Sequence, residues 1–249
     1  MWGQPPEALA LSSDDVHVWR ASLDQAPSRV QDLLHILAPD EQARASRFYF
    51  AKDREHYIVA RGVLRAILGR YLDRAPECLS FCYGAHGKPA LRGQSHEDAI
   101  RFNVSHSQGI ALYAFARSRQ VGVDVEHIRL DLAVAEIAAR FFSQREAAML
   151  LVLPPDVQRQ AFFRCWTRKE AYIKALGEGL SLPLDQFDLS SVHGEPATAS
   201  ATERDPSEAS GWSVRELSPA PGYAAALAVE GHDWRLVCWQ CPNAKQQSI

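Results

Sequence analysis

The chain has 249 residues, 47% hydrophobic and 23% charged, with a formal net charge of −3. These are ordinary globular proportions, enough for one large domain or two small ones at roughly 100–200 residues each. The slight acidity excludes a global basic field for nucleic acid, so a polyanionic ligand must meet a local basic pocket. The opening stretch MWGQPPEALALSSDD has no basic segment leading into a long apolar one, and no stretch reaches the ~18 apolar residues of a membrane span. The five cysteines, Cys78, Cys82, Cys165, Cys238 and Cys241, are odd in number and lack framework spacing, which suits a reducing compartment. The C-x-x-C of Cys238 and Cys241 has no second pair to complete a zinc site and reads as structural. A soluble, cytoplasmic protein that binds neither nucleic acid nor membrane is expected.

Val16 to Trp19 is a short apolar run, predicted as a first strand. Pro39 to Arg70 reads as helical, with Pro39 near a start and Asp53 a possible break; Tyr57, Val59, Val63, Leu64, Ile67, Leu68 and Tyr71 keep helical spacing. Leu79 to Tyr83 reads as a strand and Gly84 to Pro89 as a loop. Ile110 to Ala116 and Val121 to Glu126, linked by Arg117 to Gln120, are predicted to form a hairpin. Leu132 to Leu153 reads as one helix ended by Pro154 and Pro155, and Gln158 to Leu176 as another, stopped by Gly177 and Gly179. Ser190 to Ser210, rich in Ser, Ala, Glu and Pro, is expected to be a mobile loop. Tyr223 to Val229 and Trp234 to Trp239 suggest a closing hairpin around Gly231. VARGVLRAILGRYL (59–72) and WTRKEAYIKALGEGL (166–180) echo each other, which suggests two halves joined near Arg117 to Gln120.

In Val121-Gly122-Val123-Asp124-Val125-Glu126, alternation puts the valines on one face and both carboxylates on the other. Carboxylates sharing the face of an apolar strand repel, and a hard cation such as magnesium offsets that through oxygen ligands. A plain amphipathic strand with a wet face is the other reading. Gly122 allows a backbone or ligand to approach closely.

On the later helix, Phe162, Cys165, Tyr172, Ile173 and Leu176 form the core stripe. Trp166, Glu170 and Lys174 repeat every fourth residue, forming a row along the edge of that stripe. Such a row can be a surface ion pair or can face a pocket. In a pocket, Glu170 serves as a third metal ligand or a general base and Lys174 neutralises a phosphate. Lys169 lies inside the stripe and must snorkel or pair with a buried acid.

Phe102-Asn103-Val104-Ser105-His106-Ser107 ends in small polar groups before a strand. Adjacent strand residues face opposite ways, so Ser105 and His106 make a poor nucleophile and base. A histidine donating to a phosphate is easier to build, and a structural histidine is the alternative. Lys88, in Gly87-Lys88-Pro89, can reach an anion from its loop. Arg44, Arg47, Arg54, Arg61 and Arg65 crowd the first helical region, with one or two turned to a pocket.

The series GKP (87–89), FNVSHS (102–107), GVDVE (122–126) and WTRKEAYIKALGEGL (166–180) resembles the 4′-phosphopantetheinyl transferase family, in particular its larger type, typified by the surfactin-synthetase activating enzyme. The resemblance runs from about Pro39 to Asp188 and is weak in residues 1–15 and 190–249. It implies an α+β fold: a pseudo-twofold pair of similar α/β halves in one chain, with the active site in the cleft between them. Residues 1–119 would contribute to coenzyme A binding, and residues 120–249 would carry the magnesium and catalytic motifs. The larger type usually acts as a monomer.

The resemblance also implies the chemistry. The phosphopantetheine arm of coenzyme A passes to a serine of an apo acyl, polyketide or peptidyl carrier protein, with magnesium or manganese, and adenosine 3′,5′-bisphosphate leaves. Asp124, Glu126 and Glu170 match the metal ligands, with Asp124 also at the coenzyme A site. Glu170 and Lys174 match the catalytic pair, Lys174 lying at the diphosphate. Ser105 and His106 match residues on the 3′-phosphate, and Lys88 and Arg44 match basic coenzyme A contacts. Where some relatives carry another lysine, this chain has Glu41, so Arg47 and Arg61 are candidates to replace it. The same acids would also serve a metal-dependent phosphohydrolase that needs no carrier. A non-catalytic carrier-binding module is the remaining alternative.

Overall fold

The computed structural model describes residues 1–94, 99–177, 183–189, 197–198, 200–201 and 211–242. The chain begins with β1 (Asp15–Ser22), followed by α1 (Pro27–His35), α2 (Pro39–Ala45) and α3 (Ala51–Leu72). A short hairpin, β2 (Phe81–Tyr83) and β3 (Pro89–Leu91), leads to β4 (Ile100–Ser107) and β5 (Ile110–Arg117). The second half opens on β6 (Val121–His127), then α4 (Val134–Phe141), α5 (Gln144–Leu151) and α6 (Pro155–Leu176). Short strands β7 (Phe187–Asp188), β8 (Ala197–Thr198) and β9 (Ser200–Ala201) precede β10 (Trp212–Leu217), β11 (Tyr223–Glu230) and β12 (Arg235–Gln240).

Two four-stranded sheets result, in the orders β12-β1-β5-β4 and β6-β11-β10-β8. Within them β1-β5-β4 and β6-β11-β10 repeat one plan. Each unit is a strand, a set of helices ending in one of 22 residues, and a hairpin that returns its second strand beside the first. This is the α+β pair of similar halves that the resemblance implied. β12 departs from the plan by crossing back to pair in parallel with β1.

Alternation along the strands decides the packing. Val16, Val18, Leu112 and Ala114 face Val121, Val123, Val125 and Leu227 between the sheets. The opposite face of the first sheet, with Trp19, Phe102, Tyr113 and Phe115, buries α3 through Val59, Leu64 and Leu68. The second sheet buries α6 through Ala171, Ile173 and Ala175. Gly122 makes that contact possible: a Cβ there would collide with the Ala171 carbonyl and the Ala175 backbone.

Several local expectations are corrected. β5 and β6 are not a hairpin, because both edges of β5 are already taken by β1 and β4. The hairpin is β4–β5, closed by Gln108 and Gly109, both with positive φ (51° and 116°), the twist that tight two-residue turns require. Residues 118–120 instead carry the chain to the second sheet. β11 and β12 likewise lie in different sheets. The first helical region breaks at residues 46–50; Asp53 lies in the first turn of α3, where its charge complements the helix dipole. Residues 132–153 form two helices, because Ser143 and Glu146 make a capping box that starts α5. The predicted strand from Leu79 begins at Phe81, and α1 was not anticipated. Most of the expected 190–210 loop lies outside the described residues, as does Gly179; the described parts of that loop are β8 and β9.

Candidate active site

β6 runs along the edge of the second sheet, with α6 across one face and β4 beside its free edge. Alternation put Asp124 with Glu126 and the helical row put Glu170 with Lys174; the packing of α6 on β6 brings the two pairs together. Lys174 Nζ lies 2.6 Å from Asp124 Oδ1 and donates to Ser105 Oγ at 3.0 Å. Ser105 Oγ donates to Asp124 Oδ1 at 2.8 Å. Asp124 is buried, and its Oδ2 has no hydrogen-bond partner among the described residues. Glu126 Oε2 accepts from Ser107 Oγ at 2.9 Å.

Two of the acids are perturbed by burial and by their acidic neighbours. Burial raises the pKa of Glu126, Asp124 raises it further, and Ser107 and Lys174 oppose the shift. Burial also raises that of Glu170; Lys174 opposes this, while Asp124 and Glu126 add to it. Three acids around one ammonium leave an excess of negative charge at a half-buried place. Among the described residues no three His, Cys, Asp or Glu form a ready metal cluster. The unpartnered Asp124 Oδ2 and the Glu126 and Glu170 carboxylates, each pushed up by burial and by neighbouring acids, are nevertheless what a hard cation would relieve.

Ser105 and His106 face opposite sides of β4, as alternation required. Ser105 is buried and His106 exposed. Lost hydration, then Lys174 and His56, lower the pKa of His106. Lys88 turns inward, and its Nζ donates to Ala175 O at 2.9 Å and Val121 O at 3.2 Å. It thus caps the carboxyl end of α6, with a pKa lowered to about 8 by burial and by Arg101.

Arg44 is exposed on α2, its guanidinium 5.6 Å from the centre of the Tyr57 ring, beside Arg47 and Phe48. It is not drawn into the acid network. Glu41 is buried, accepts from the Ala38 amide at 2.9 Å, and pairs with Arg61 and with Arg65 at 2.6 Å. Arg61 is therefore committed to Glu41, leaving Arg47 as the uncommitted candidate. Lys169 finds the buried acid it needed, 2.6 Å away in Glu146. Sequence reasoning assigned no role to Asn103 or Ser107; the spacing of Asn103, Ser105 and Ser107 on alternate positions was the available signal.

Comparison with known proteins gives the family. Residues 18–117 match the 4′-phosphopantetheinyl transferase N-terminal family, and residues 120–228 match the 4′-phosphopantetheinyl transferase superfamily. The 4′-phosphopantetheinyl transferase HetI of Nostoc sp. (strain PCC 7120) is 42% identical over 238 residues, covering 96% of this chain and 97% of that protein. This chain belongs to the 4′-phosphopantetheinyl transferase family. The 4′-phosphopantetheinyl transferase psf-1 of Bacillus pumilus is 32% identical, covering 81% of this chain and 82% of that protein. The corresponding figures for Sfp of Bacillus subtilis are 33%, 63% and 67%. The family resemblance drawn from four short motifs is thus borne out over nearly the whole chain. Among the described residues no helix is long and apolar enough to cross a membrane.

Proposed function

We propose that this 4′-phosphopantetheinyl transferase moves the 4′-phosphopantetheine arm of coenzyme A to a serine of an apo carrier protein, with magnesium, and releases adenosine 3′,5′-bisphosphate. The observation that carries this reading is the convergence of Asp124, Glu126 and Glu170 around Lys174. Magnesium held by Asp124, Glu126 and Glu170 would supply positive charge to the diphosphate; manganese suits the same oxygen donors.

The chain's own groups supply the rest. The bond from the carrier serine Oγ to the β-phosphorus forms as the bond from phosphorus to the departing adenosine bisphosphate oxygen breaks. Glu170, whose raised pKa suits a base, takes the serine proton on its carboxylate. Lys174 Nζ donates to the diphosphate and stabilises the charge on the departing oxygen. His106 and Arg44 meet the anionic end of coenzyme A. Ser105 and Lys88 work from behind, Ser105 holding Asp124 and Lys88 holding the end of α6. All five cysteines are free, which supports a reducing compartment, and the enzyme is read as a cytoplasmic monomer.

The test is the intact mass of an apo carrier incubated with protein, coenzyme A and magnesium. A gain of one phosphopantetheine arm that is lost on chelation is expected. Release of adenosine bisphosphate without a carrier, and no mass gain on any carrier class, would contradict the transfer reading.

A further inference from the structure

β6 is paired with β11 on one side only. The amides of Val123, Val125 and His127 point the other way, toward β4. Buried amides left unpaired there would be costly, and no backbone strand pairs with them. Side chains of β4 do so instead. Val123 N donates to Asn103 Oδ1 at 2.9 Å, Val125 N to Ser105 Oγ at 3.3 Å, and His127 N to Ser107 Oγ at 3.1 Å.

A serine hydroxyl has one proton to give as well as lone pairs to offer. Ser105 gives its proton to Asp124 Oδ1, and Ser107 gives its own to Glu126 Oε2 at 2.9 Å. Each serine therefore grips one residue pair of β6 at two points, a backbone amide and the carboxylate just before it. The rung at Asn103 has no carboxylate to hold, because the residue before Val123 is Gly122.

We propose that Ser107 is a positioning residue that fixes the Glu126 carboxylate and the edge of β6 together, so that the first half of the chain sets the geometry of acids carried by the second. The inference rests on the reading of Glu126 as a magnesium ligand. Ser107 isolates this role better than Ser105, because Ser105 also receives Lys174. Among the described residues the Ser107 hydroxyl bonds to Glu126 and His127 alone. Nothing in this role needs Ser107 to touch coenzyme A.

Two readouts on the full chain test it. Amide hydrogen exchange follows the His127 N–H, and calorimetry follows magnesium titrated into protein saturated with coenzyme A, without carrier. Ser107→Ala should speed His127 exchange and weaken magnesium about 10-fold or more, the usual loss when a group behind a metal ligand is removed. It should raise the half-saturating magnesium for transfer more than the KM for coenzyme A. Ser107→Thr keeps the hydroxyl and should restore both. Unchanged magnesium affinity in a folded Ser107→Ala protein, or equal weakening by Ala and Thr, would overturn the inference. Glu126→Gln is the control: wild-type magnesium binding in that variant would remove the underlying assignment of Glu126, a different failure from that of Ser107.

Discussion

Lys174 Nζ rests 2.6 Å from Asp124 Oδ1, tying the last turns of α6 to the middle of β6. The contact joins two residues 50 positions apart in the sequence. It also leaves the second carboxylate oxygen of Asp124 buried and without a partner among the described residues. The ammonium therefore holds Asp124 from the side of α6, and in the proposed reaction it would donate to the diphosphate. Lys174→Ala is expected to lower kcat by about 10²–10³-fold, the scale for losing one preorganised donor, as single-turnover transfer kinetics would show. Rates within a factor of two of wild type would contradict this role.

His106 points away from Ser105 and beside Lys174 and His56. Loss of a hydrogen bond to a charged group costs about 1.5–3 kcal/mol. His106→Ala should therefore weaken coenzyme A about 10-fold or more while changing dephospho-coenzyme A much less. Calorimetric affinities for both ligands check this, and equal weakening would remove the 3′-phosphate role.

The buried pair of Lys169 and Glu146 should govern stability. Lys169 also donates to the Leu184 carbonyl at 2.7 Å, so this one ammonium pins α5 and the segment after α6. Removing one partner of such a pair costs about 3–5 kcal/mol. Lys169→Met should lower the urea midpoint by a corresponding amount; adding Glu146→Leu should not restore it, because Glu146 also accepts from the Ser143 and Leu189 amides.

His17 gives a pH dependence. It is buried on β1, and its Nδ1 is 2.7 Å from the Tyr71 hydroxyl, which also accepts from Trp19 Nε1. The Tyr71 hydroxyl is thus in place to exchange a hydrogen bond with a neutral imidazole at Nδ1. Burial lowers the His17 pKa from 6.5 to about 4, against a raising effect of Asp15. The unfolded chain then binds the extra proton between those values, so stability is complete above pH 6.5 and falls as pH drops toward 4. At about 1.4 kcal/mol per unit, the loss is on the order of 3 kcal/mol. Chemical denaturation at several pH values should show this slope in the wild type and a shallower one in His17→Gln.

The acid site was legible because its signals are local. Alternation placed Asp124 with Glu126, fourfold spacing placed Glu170 with Lys174, and the apolar stripe required a buried partner for Lys169. Gly122 announced a close approach, which turned out to be the backbone of α6. What escaped was the choice of strand partner. Nothing within 110–126 states that β5 is already paired on both edges, and β12 returns to β1 from across the chain. Glu41 was read as a missing lysine; its burial between Arg61 and Arg65 depends on α2 packing on α3, a tertiary fact. Ser107 needed the neighbouring edge of β6 to acquire a meaning.

The most direct test of the acid site is single-turnover transfer to an apo carrier by Asp124→Asn, a near-isosteric change that keeps one oxygen for Ser105 and Lys174. Circular dichroism and the unfolding midpoint would establish that the variant is folded. Transfer slower by about 10²–10³-fold is expected, with coenzyme A still bound. Wild-type transfer by the folded variant would show that the charge on Asp124 is not used and would contradict the assignment of the site.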